Sequence, residues 1–165
     1  MQSTHPTPSS SPALPTALPT SVAWLGYGGL LPFAALAGIG WWAPGTPLWG
    51  TALLAYGAVI LSFVGALHWG FAMVLPGLGA AQRQGLWLWS VVPALLAWPA
   101  VLWAAPGAAL LLVAGFAAHW LRDWRLVAQT GAALPPWYLG LRTRLTLVAC
   151  LCLLVGAGAL VRAGA

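Results

Sequence analysis

Five stretches of this chain are apolar over lengths near or above the roughly 20 residues that an α-helix needs to cross a bilayer. They run over about 21–42, 48–75, 86–104, 107–121 and 136–161. Pro44, Gly45 and Pro47 break the first connection, Pro76, Gly77 and Gly79 the second, and Pro106 with Gly107 makes a tight third turn. The second stretch is long enough to tilt, and the fourth is the shortest. Only 4% of the residues are charged, whereas a water-soluble domain carries roughly 25%. A mean hydropathy of +0.89 agrees that most side chains face something other than water. The fold class expected is an all-α polytopic membrane helix bundle of about five transmembrane helices.

Residues 1–20 are Ser, Thr and Pro with scattered Ala and Leu, a composition that cannot bury enough apolar surface to order itself. They read as a tail, leaving 21–165 as a single transmembrane domain. The tail lacks Arg and Lys, unlike a secretory or transit signal, so the first span reads as an uncleaved helix. Five spans put Arg83, Arg122, Arg125, Arg142 and Arg144 on one side of the membrane and Arg162 on the other. The positive-inside rule then predicts a cytoplasmic N-terminus and an external C-terminus. Six cations near span ends serve as topology signals and are too few for a nucleic-acid footprint, so no nucleic-acid partner is expected.

Tryptophans gather where interfacial anchoring predicts. Trp41, Trp42 and Trp49 flank the first connection, Trp87 and Trp89 open the third span, and Trp120, Trp124 and Trp137 frame the fourth connection. Gly57 and Gly65 in the second span allow close helix approach. Pro32, Pro93 and Pro99 lie inside spans and should free carbonyls that neighbouring groups must satisfy. Cys150 and Cys152 point about 200° apart on a helix, so they cannot share a metal ion and read as packing residues.

His68 is the unusual residue. At 100° per residue, Gly57, Leu61, Val64, Gly65 and Ala72 lie within about 60° of its direction, a face suited to another helix. It sits about seven residues, or roughly 10 Å, from the Arg-rich end of its span. A titratable group at that depth is a functional candidate, and the plain alternative is a neutral imidazole stitching helices together. A second His-Trp pair occurs at His119-Trp120, on a span that runs in the same direction. His68 and His119 could ligate a haem or one metal jointly, but His119 beside Arg122 suits an interfacial position better. No cofactor and no metal are therefore expected.

Asp123 is the chain's single acid, in "LRDWRL". It reads either as a local interfacial ion pair or as a tertiary partner of Arg142 or His68 that closes the cytoplasmic face. In "LPPWYLGLRTRLT", 134–146, Pro136 suits a first helical turn, Trp137 and Tyr138 suit the interface, and Arg142 and Arg144 can snorkel. One of these arginines could instead turn inward to Asp123.

Together "LGYGGLLPF" (25–33), "YGAVILSFVGALHWG" (56–70), "VVPALLAWPAV" (91–101), Asp123 and "LPPWYLGLRTRLT" (134–146) resemble a family of small multi-pass membrane proteins. The family is a domain of unknown function whose eukaryotic member is mitochondrial transmembrane protein 69. His68, Trp69, Asp123, Trp137, Tyr138 and Arg142 lie on its pattern, and His119 does not. The resemblance implies a bacterial inner-membrane protein and brings neither an established activity nor a catalytic residue.

The functional expectation is a non-enzymatic assembly, scaffold or accessory factor in contact with membrane lipids and a membrane protein complex. Nothing in the sequence points to a homo-oligomer. A small proton-coupled transporter or channel, with His68 and an Asp123–Arg142 gate, is the alternative. A haem protein using His68 and His119 comes third. No carboxylate pair, Ser-His-Asp arrangement or metal-binding triad equips the chain as a hydrolase.

Overall fold

The computed structural model describes residues 16–46, 48–103, 105–130 and 134–164. The tail expected over 1–20 falls mostly outside the described residues. The described chain is helical throughout its elements: α1 (Thr20–Gly28), α2 (Leu31–Trp42), α3 (Trp49–Val74), α4 (Ala80–Trp103), α5 (Pro106–Thr130) and α6 (Trp137–Arg162). The helices α1 and α2 form one broken pass, so the chain passes five times through the bundle. Four passes are long and apolar enough to cross a membrane: Thr20–Trp42, α3, α4 and α6. The remaining pass, α5, is as long, but its C-terminal part carries Arg122, Asp123 and Arg125.

The break in the first pass follows from Pro32, which has no amide to continue the ladder. Its cost is met locally and across the bundle. Gly29 and Leu30 amides donate to the carbonyls of Leu25 and Tyr27, and the Tyr56 hydroxyl from α3 donates to the Gly29 carbonyl at 2.8 Å. The α4 prolines do not end their helix. Pro93 faces Gly65 of α3 so closely that a Cβ on the glycine would lie 2.8 Å from the ring.

The bundle wears its apolar residues outside as well as inside. Phe63, Leu95, Leu102 and Leu151 are 64%, 65%, 69% and 61% exposed, which suits lipid as the solvent. The main core joins Phe33, Leu53, Leu61, Leu112, Phe116 and Leu153 from α2, α3, α5 and α6. A smaller cluster, Ala72, Leu75, Leu86 and Leu126, closes the end where α3 meets α4 and α5 ends. Cys150 and Cys152 are free thiols packed against the main core.

Several boundaries differ from the sequence expectation. The third span starts at Ala80, six residues before the expected 86, and α5 continues to Thr130 instead of ending near 121. That extension carries Asp123 inside a helix and away from any connection. Two tryptophans also change role. Trp49 is buried against Gly40 and donates its indole N–H to the Pro44 carbonyl at 3.1 Å, so it folds under its own loop. Trp120 donates to Thr143 Oγ1 at 2.9 Å and ties α5 to α6.

Candidate functional site

Between the main core and the smaller cluster lies a polar layer drawn from four helices. On α3, the buried stripe Gly57, Leu61, Val64, Gly65, His68 and Ala72 is the face read from the sequence, and it brings His68 to the bundle centre. On α5, spacings of three and four residues put Phe116, His119 and Asp123 on one buried side. On α6, the same spacing aligns Tyr138, Arg142 and Thr146. Trp89 enters from α4.

Asp123 is the hub. Arg142 donates from Nε to Asp123 Oδ2 at 2.8 Å, an α6–α5 ion pair with the carboxylate fully enclosed. The other carboxylate oxygen, Oδ1, is flanked by His68 Nε2 at 3.6 Å and His119 Nε2 at 3.8 Å. Both imidazoles are wholly buried and meet edge to face, with ring centroids 4.7 Å apart. Phe71 lies between His68 and Tyr138, in edge contact with both rings. The Tyr138 hydroxyl stands beside Asp123 and Arg142. No hydrogen bond within the described residues reaches either nitrogen of His68, His119 Nε2, Asp123 Oδ1 or Arg142 Nη2, although the Val64 carbonyl lies near the His119 ring.

Here the expectation for His119 fails. It is buried as deeply as His68 because α5 continues past it as helix and keeps it within the bundle. Trp89, expected among headgroups, instead donates its indole N–H to His119 Nδ1 at 3.2 Å. An indole N–H only donates, so Nδ1 must carry the lone pair, and a neutral His119 holds its proton on Nε2. Nε2 lies 3.8 Å from Asp123 Oδ1.

The tautomer decides between two chemistries. His68, His119 and Asp123 offer ligand atoms all within 4.8 Å of one another, close to what one metal ion would gather. A metal at His119 Nε2 would require that nitrogen to be unprotonated and Nδ1 to donate outward. Trp89 enforces the opposite arrangement, so the donor set fits a hydrogen-bonding cluster better than a metal centre. Axial haem ligation by the two histidines does not fit this arrangement either. Rings 4.7 Å apart in edge contact, both directed at one carboxylate oxygen, leave no slot for a macrocycle.

The structure brings together His68, Asp123, Arg142 and Tyr138 from the candidates named above. Trp69 lies on the outside, 53% exposed, against Trp87. Trp137 lines an apolar cavity of about 350 Å³ between α1–α2, α3 and α6, whose wall also includes Phe33, Val64, Phe116, Arg142 and Thr146. Arg144 points to Tyr27 of α1, donating to its hydroxyl at 3.4 Å. Sequence reasoning missed Trp89 and undervalued His119. The His119–Asp123 spacing of four was the signal available for the latter.

Residues 18–158 match the protein family of unknown function DUF3429. This chain belongs to the DUF3429 family. Transmembrane protein 69 of Xenopus tropicalis is 36% identical over 138 residues, which cover 79% of this chain and 51% of the relative. The chain thus spans about half the length of that curated relative. No solved structure matches. As a DUF3429 member it is a multi-pass membrane protein, in keeping with its apolar helices.

Proposed function

We propose that this DUF3429 protein is a non-enzymatic accessory or assembly factor of a bacterial inner membrane, and that its buried polar layer holds the bundle in one packing for partner recognition. The observation that carries this reading is the enclosure of Asp123 by Arg142, His68 and His119, with both histidines and the acid at 0% exposure. A reacting group must reach its substrate, and these three are enclosed by Arg142, Trp89, Phe71 and one another. What such a cluster does well is specify which helix faces meet, because an unpaired charge in the bundle costs several kcal/mol. The exposed aromatic and aliphatic exterior supplies apolar surface for neighbouring spans. The test is affinity purification of a C-terminally tagged chain in mild detergent. A defined membrane complex should co-purify with the wild type and be lost with Asp123→Leu. Recovery of the chain alone under conditions that preserve known complexes would count against the reading.

A second reading, a small proton-coupled transporter, is favoured by one observation. The cavity of about 350 Å³ reaches Arg142 and Tyr138, the residues that contact Asp123. Proteoliposomes would then show flux that depends on pH, and His68→Ala would abolish that dependence. Equal flux from the variant removes His68 from the mechanism.

A further inference from the structure

A second cavity, of about 300 Å³, lies where α4 begins and α5 ends. Its floor is Leu78, Leu86 and Leu126, and its polar wall is Gln82, Arg122 and Gln129. Arg122 is the residue that needs explaining. The chain contains one acid, and that acid is committed: Asp123 Oδ2 receives Arg142, and Oδ1 faces two imidazoles. No carboxylate side chain of this chain is left for Arg122, although it directly precedes Asp123 in the helix. Its Nε is buried with no hydrogen-bond partner among the described residues.

The guanidinium is nevertheless held in place. Its carbon lies 5.9 Å from the centre of the Trp89 ring, a cation–π arrangement. Its Nη2 packs on Gly85 so closely that a Cβ there would stand 3.1 Å away. Gln82 is oriented too. Its Oε1 accepts the Gly79 amide at 2.9 Å, which leaves the carboxamide NH₂ free to donate toward the cavity. The site therefore offers a fixed, uncompensated planar cation and amide donors above an apolar floor, at the end of membrane-spanning helices.

We propose that this cavity binds the phosphate of an anionic membrane lipid, with Arg122 as the bidentate donor and Gln82 and Gln129 as flanking donors. A phosphate matches the guanidinium fork and supplies the negative charge that the chain lacks. The leucine floor accommodates the glycerol and first acyl carbons, which a free phosphate does not have. The position has a consequence for the core. Trp89 carries Arg122 on its face and His119 on its N–H, so an occupied cavity is separated from the buried polar layer by one indole. The proposal is independent of the accessory-factor reading and of the transport reading.

The experiment uses the full chain in detergent, exposed separately to phosphatidylglycerol, phosphatidylcholine and inorganic phosphate, with retained lipid read by native mass spectrometry and stability by thermal melting. Phosphatidylglycerol should be retained and should raise the melting temperature, whereas phosphatidylcholine should do neither. Arg122→Gln should weaken retention about fivefold, the effect of one interfacial cation. The exposed Arg125→Gln should leave retention unchanged. If Arg122→Gln does not fold, Gln82→Ala with Gln129→Ala provides the same readout at the cavity's exposed rim, with a smaller loss expected. Equal retention of both lipids, or undiminished retention in the variants that fold, overturns the proposal. Stabilisation by inorganic phosphate that equals the lipid effect overturns the lipid as the source.

Discussion

The indole N–H of Trp89 donates to Nδ1 of His119 across the α4–α5 contact, at 3.2 Å, and so determines which face of that histidine carries its proton. A residue that looks like a membrane anchor in sequence is thereby the element that gives the buried layer its hydrogen-bonding sense. Nitrogen-resolved NMR of the wild type should find His119 as the Nε2–H tautomer. Trp89→Phe removes the donor and should cost about 1 kcal/mol of stability. With Nδ1 released, added Zn²⁺ should raise the melting temperature of Trp89→Phe and leave the wild type unmoved. Zinc stabilisation of the wild type would restore the metal-centre reading.

Asp123 and Arg142 should behave as one unit. Arg142→Met strands a carboxylate inside the bundle and is expected to cost about 3–5 kcal/mol. Replacing both residues, Asp123→Leu with Arg142→Met, should recover most of that loss, because two apolar side chains need no partners. Unfolding titrations of the two single variants and the double one measure the coupling. Additive losses would show that the ion pair is incidental.

Close helix approach makes a sharper demand at Gly65 than at most glycines. A methyl there meets Pro93 at 2.8 Å and the Ser90 carbonyl at 3.1 Å, neither of which is the end of a flexible side chain. Gly65→Ala should therefore destabilise by about 1–3 kcal/mol through overpacking. Gly28→Ala, with nothing near its Cβ, is the matched control and should change stability little. Thermal melts of both variants in the same detergent separate the two expectations.

The arginine distribution gives a topology prediction. The connections after α3 and after α5 lie at the same end of the bundle, near Arg83, Arg122, Arg125, Arg142 and Arg144. Both should face the cytoplasm. Single cysteines placed at Gly77 and Leu134, in a background with Cys150 and Cys152 replaced by Ala, should resist an impermeant external thiol reagent in intact cells. Labelling of both from outside would invert the bundle.

Much of the site was readable one helix at a time. The α3 face containing His68 follows from adding 100° per residue, and the structure buries that same set. The inward turn of Arg142 was one of two stated options, and Arg142 and His68 were the tertiary partners offered for the chain's single acid. His119 and Trp89 were misjudged for a common reason. Each stands beside charged or aromatic neighbours that resemble an interface, yet His119 is buried and Trp89 half-buried because in each case the helix runs further than its apolar stretch does.

Composition and periodicity alone determined that lipid is the solvent, that the elements are helices, and which stripe of α3 turns inward. Those properties are sums or repeats along the chain, so they need no knowledge of what lies opposite. The meeting of His68, His119, Asp123 and Arg142, and the proton position that Trp89 imposes, depend on the relative rotation and height of four separate helices. Only the packed structure decides these, since the energy of a hydrogen bond or ion pair is lost within an ångström or two and the sequence records no distance between helices.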